Sequence, residues 1–166
     1  MYHRIWMILN VILILGSIIY IWAFRPHDST LIVSSQLLAQ MAMILFLINV
    51  NMYFIFLVIR KTSNRNVKIR LAKFSRHFMK WHIKIAVTAA IIIIGHATIN
   101  LIKIGPILGY THIKMLTGYL GIIFLTVTLF AGYLRHKKAS GFRKKFHRTI
   151  AMIFTAIFLI HMLIPL

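Results

Sequence analysis

The chain has no cysteine, and its single acidic residue, Asp28, stands against 20 lysines and arginines. The absence of cysteine excludes thioether-attached cofactors, cysteine-held iron–sulfur clusters and disulfides, and leaves histidine as the one strong metal-ligand type. The scarcity of carboxylates excludes more. Asp28 falls between apolar runs, so no run carries the Asp or Glu that ion-coupled transporters and proton pumps place in the membrane. Low-complexity tracts and a soluble domain are also missing.

Present instead are long apolar runs. Of the 166 residues 60% are hydrophobic and 13% charged. Several runs approach the roughly 20 residues that cross about 30 Å of hydrocarbon. The expected fold is an all-α integral membrane bundle in one domain, residues 1–166, with five spans near Ile5–Phe24, Leu31–Ile59, His82–Ile104, Ile113–Leu134 and His147–Ile164. The first run follows Arg4 as a secretory signal would, but it is too long and has no small-residue cleavage site before Arg25, so it is read as a span. The link at 25–30 contains Pro26, and the link at 103–112 is punctuated by Gly105, Pro106 and Gly109.

Basic residues set the orientation. One lies at 1–4, nine at 60–84 and seven at 135–148; only Arg25, Lys103 and Lys114 lie elsewhere. With alternating loops the positive-inside rule gives a cytoplasmic N-terminus and an external C-terminus in a cell membrane. Spans three and five then both run outward. A net charge of +19 calls for an anionic complement, for which cofactor carboxylates, inner-leaflet headgroups and an acidic cytoplasmic partner all qualify. Nucleic acid is not expected, because the basic residues flank spans.

Two histidine pairs share one spacing: His82 and His96 bound one apolar run, His147 and His161 another, each enclosing thirteen residues. A separation of fourteen brings the second imidazole to within about 40° of the first and about 21 Å along the axis. Each helix therefore offers two imidazoles on one face at two depths. On parallel helices His82 would face His147 and His96 would face His161, the arrangement that two iron-porphyrins require when each takes a nitrogen from either side. The expected cofactors are two non-covalent b-type haems.

Small residues follow the same face. Ala86, Ala89, Ala90 and Ile93 lead from His82 to His96, with Gly95 beside the latter; Ala151, Phe154 and Phe158 lie between His147 and His161. Gly118, Gly121 and Gly132 on span four suggest close approach of a neighbour, as small residues do in membrane packing. Arg76, Lys80, Lys84, Arg143, Lys144 and Arg148 are candidate partners for inner haem propionates and Lys103 for an outer one. His77, His3, His27 and His136 read as solvated, and His112 lies at the external mouth.

The stretch from Arg76 to His161 resembles the ferric reductase-like transmembrane domain family. The resemblance rests on the order of the four histidines, on Gly118-Tyr119-Leu120-Gly121, and on the basic and aromatic lead-in Phe142-Arg143-Lys144-Lys145-Phe146-His147-Arg148. It implies haem ligands paired on the third and fifth spans, and a membrane haem component of an oxidoreductase. Beyond its ligands that component needs no catalytic side chain. The family usually has a sixth span leading to flavin and nicotinamide domains, whereas the chain ends at Leu166, so the expected donor is a separate flavoprotein reductase or a membrane quinol. Small quinol-oxidising cytochromes b use the same spacing, generally on other spans. The resulting expectation is transmembrane electron transfer to an external acceptor such as ferric iron. The alternatives are a haem-bearing anchor subunit for a dehydrogenase and a haem-free membrane assembly factor.

Overall fold

Apolar side chains all round a segment and few backbone breakers leave the chain one economical way to satisfy its peptide groups in lipid, the α-helix. The computed structural model describes residues 2–165 apart from Pro26 and Ala139, and side chains from Ile5 onward; the side chains of His3 and Arg4 therefore lie outside it. Among the described residues there are six helices and no strand: α1 Tyr2–Phe24, α2 Thr30–Lys61, α3 Arg65–Lys103, α4 Gly105–Leu108, α5 Ile113–Lys137 and α6 Gly141–Leu163. All but α4 are long and apolar enough to cross a membrane. The protein is a multi-pass α-helical membrane protein.

Helix ends follow local chemistry. Ser29 Oγ accepts from the Ile32 amide (3.3 Å) and Ser140 Oγ from that of Arg143 (3.2 Å), as N-cap hydroxyls do. Asn64 Oδ1 accepts from Asn66 and Val67 (3.0 and 3.3 Å) and opens α3. This cap starts α3 seventeen residues before His82, so most of the basic stretch between spans two and three is a helix extension, and only 62–64 link α2 to α3. Gly109, at φ 88°, ends α4 in a conformation that a side chain would strain.

The chain divides into two compact units, Met1–His96 and Ala97–Leu166. In the first, α1 packs on α2. Trp6 Nε1 donates to Asn51 Oδ1, Asn51 Nδ2 to Asn10 Oδ1 (3.0 Å) and Asn10 Nδ2 to the Trp6 carbonyl (2.9 Å), a closed polar ring that ties two apolar helices. Ser35 of α2 meets His96 of α3, while Ile48, Asn51, Met52 and Ile55 line a half-open cavity of about 200 Å³ with Phe74 and Phe78. The two helices therefore run antiparallel through this unit. In the second unit α5 packs on α6. Arg143 Nη1 donates to the Leu134 carbonyl (2.9 Å), closing the end of α5 with the start of α6. Outward surfaces are apolar: Ile12, Ile91 and Phe130 are 62%, 65% and 57% exposed, as lipid-facing side chains are.

Candidate functional site

All four singled-out histidines are half-buried, two on α3 and two on α6. Three of them are held by one nitrogen. His96 Nδ1 lies 2.9 Å from the Ser35 carbonyl and 3.0 Å from Ser35 Oγ. His147 Nδ1 lies 3.2 Å from the Thr128 carbonyl. His161 Nδ1 lies 3.0 Å from Thr117 Oγ1.

These contacts decide the tautomer. A carbonyl oxygen only accepts, so His96 and His147 must carry the proton on Nδ1. Thr117 has one hydroxyl proton, and its Oγ1 sits 3.0 Å from both the Ile113 and the Lys114 carbonyls. That proton is committed to the carbonyls, so Oγ1 accepts from His161 Nδ1–H. In the neutral form of each ring the lone pair then resides on Nε2, the nitrogen that ligates iron when Nδ1–H is anchored. The partners come from neighbouring helices, α2 for His96 and α5 for His147 and His161.

Glycines shape the α6 half. A Cβ on Gly118 would lie 3.3 Å from His161 Cε1, and one on Gly132 would lie 3.3 Å from His147 Cε1. Fourteen residues separate Gly118 from Gly132, as fourteen separate His147 from His161, so on antiparallel helices each imidazole rests in its own notch. The closely approaching group is thus the histidine ring. Gly121 meets nothing within 4 Å, and Gly95 would meet Leu38 Cδ1 at 3.4 Å.

One further residue of this half escaped the sequence reading. Lys114, 8% exposed, donates from Nζ to the carbonyls of His161 and Ile164, both at 2.5 Å. An ammonium there satisfies the orphan acceptors at the end of α6 and complements its negative pole. Lys114 and Thr117, one turn apart on α5, thus fix the backbone and the ring of His161.

No protein-family model, curated protein or solved structure matches the chain in such comparisons. The remaining candidates are read from geometry alone. Arg76, Lys84, Lys103 and Arg148 are all exposed. Lys84 lies about 160° around α3 from His82, and its ammonium stands over the Trp81 ring at 4.9 Å. Lys103 lies within about 20° of the His96 face and about 10 Å beyond it. Ala89, Ala90 and Phe154 are buried, with the Phe154 and Phe158 rings 6.3 Å apart. The other histidines have local roles or face outward: His112 Nδ1 accepts from the Lys114 amide (3.2 Å) and opens α5, His27 stacks on Trp22, and His77 and His136 are exposed.

Among the described residues no three His, Cys, Asp or Glu side chains converge on one point. Axial ligation of a porphyrin iron needs no such cluster, only one imidazole on either face.

Proposed function

We propose that the protein carries electrons across a membrane through two b-type haems, the inner held by His82 and His147 and the outer by His96 and His161. The observation that carries the reading is the fixed Nδ1–H of His96, His147 and His161, which orients each ring and presents Nε2 as the basic nitrogen. Bound haem would supply reversible one-electron chemistry. The chain's own residues orient the ligands, exclude water with their apolar faces and set the local charge through Lys114, Lys103 and the basic helix ends. Arg76, Lys84 and Arg148 at the inner end and Lys103 at the outer end are the proposed propionate contacts, Lys84 reaching back around its helix. The donor is a cytoplasmic flavoprotein or a quinol and the acceptor an external oxidant such as ferric iron, making the chain the membrane haem component of an oxidoreductase.

Spectra of the purified protein, oxidised and then reduced, with haem quantitation, test this reading. Two low-spin haems per chain are expected. His96→Ala and His161→Ala should remove the same haem, and His82→Ala and His147→Ala the other. A colourless preparation refutes the reading, and loss of one haem by both His82→Ala and His96→Ala refutes the pairing.

A further inference from the structure

Helix α3 is too long for the membrane. Its 39 residues extend about 58 Å, against about 30 Å of hydrocarbon and 40–45 Å with both headgroup layers. With Lys103 at one hydrocarbon edge, the other edge falls roughly at Ile83, and a headgroup layer of about 7 Å uses up about five more residues. The end from Arg65 to about His77 then stands roughly 20 Å into water. No glycine or proline interrupts 65–94, so nothing bends this end onto the lipid surface.

The projecting end is charged on one side. Arg65, Arg70, Lys73, Arg76, Lys80 and Lys84 fall within an arc of about 140°, and all are exposed. Phe74 and Phe78, outside that arc, line a cavity with Met52 and Ile55 of α2, and Phe74 stays 50% exposed. Lys73, Arg76, Lys80 and Lys84 follow one another at three and four residues, so like charges are neighbours. The first turn carries no acidic residue, and Arg65 and Lys68 sit at the positive pole of the helix. Helix and side chains alike favour an anion beside this face. Lipid headgroups can serve Lys80 and Lys84, but they do not reach Arg65, Arg70 or Lys73.

We infer that the projecting basic face of α3, from Arg65 to Lys73, docks a soluble protein with an acidic surface. As an electron donor this partner rests on the proposed function and narrows it, because a quinol in the lipid would not reach that face.

The test uses the full chain in neutral phosphatidylcholine nanodiscs, at about 0.15 M salt where screening acts over about 8 Å, with polyglutamate as the acidic probe. Arg65→Gln, Arg70→Gln and Lys73→Gln together should weaken binding about fivefold, three exposed pairs at their ordinary strength. Lys137→Gln, Lys138→Gln, Lys144→Gln and Lys145→Gln together should weaken it by less than about threefold. Adding phosphatidylglycerol should leave binding within about threefold, since headgroups stop short of the face. Equal loss in the two variants, or abolition by the anionic lipid, overturns the inference, the latter in favour of a membrane-surface role. As the chain lacks cysteine, Asn66→Cys labelled by an impermeant maleimide in each variant reports that the end still projects; an unlabelled Asn66→Cys in the parent chain also overturns it. Binding is read with and without bound haem, so a colourless protein that binds refutes the haem reading alone.

Discussion

Replacing Thr117 by Val removes one oxygen and keeps the shape of the side chain, which isolates what the hydroxyl does for His161. In the native chain Oγ1 accepts from Nδ1–H at 3.0 Å in a site where Thr117 is 8% exposed. The substitution leaves a half-buried N–H without that acceptor, at a cost of about 1–3 kcal/mol. It also makes Nε2 a weaker base, and loss of such an outer partner typically lowers affinity by roughly 10–100-fold. The first cost falls on the haem-free and haem-bound chain alike, so the second sets the affinity, and the outer haem is expected to be held about tenfold less tightly. The assay is transfer of haem to excess apomyoglobin, followed by absorbance. Thr117→Val should release one haem faster and leave the other unchanged, while Thr117→Ser should behave as the parent. Thr126 is the control: its hydroxyl bonds the Ile122 carbonyl on the same helix but touches no histidine. Equal haem retention in Thr117→Val and the parent, or equal loss in Thr126→Val, would refute the reasoning.

Gly118→Val should abolish the outer haem and Gly132→Val the inner, because each Cβ already lies 3.3 Å from a ring carbon, whereas Gly121→Ala should be neutral; haem content per chain decides. Lys114→Met should destabilise by about 1.5–3 kcal/mol through the lost charged hydrogen bonds to the last carbonyls of α6, read from thermal melts in detergent, with Lys114→Arg recovering part of it. In oriented vesicles an impermeant flavoprotein donor should reduce the haems only from the face bearing 60–84 and 135–148; reduction from both faces alike would refute His82 and His147 as the first acceptor.

The five crossing helices were legible in the sequence because apolar runs of membrane length have few other uses. Their ends were less so. Hydropathy marks where lipid begins, and a helix continues past that point whenever a cap and good helix formers permit, as Asn64 and Ser140 do for α3 and α6. Histidine periodicity placed each ring pair on one face of its helix. What held the rings was hidden, because Ser35, Thr128 and Thr117 lie 61, 19 and 44 positions away and nothing in the sequence links them. The glycine spacing was a usable signal: Gly118 and Gly132 repeat the interval of His147 and His161, which antiparallel neighbours turn into contact. Lys114 resembled an ordinary interfacial lysine, and only tertiary proximity to the end of α6 made it a cap.

The matched notches of α5 also govern motion. Two rings seated at one interval form a two-pin key, so α6 cannot slide along α5 without both leaving their seats together. A slip of one turn one way sets His161 opposite Ile122 and His147 opposite His136, and the other way sets them opposite Lys114 and Thr128, side chains where there had been none. Axial travel of either imidazole is therefore blocked by the other, about 21 Å away. The hairpin can still rock or twist, and the freedom it has lost is the one that would carry both rings together along α5, out of their seats and to a different depth.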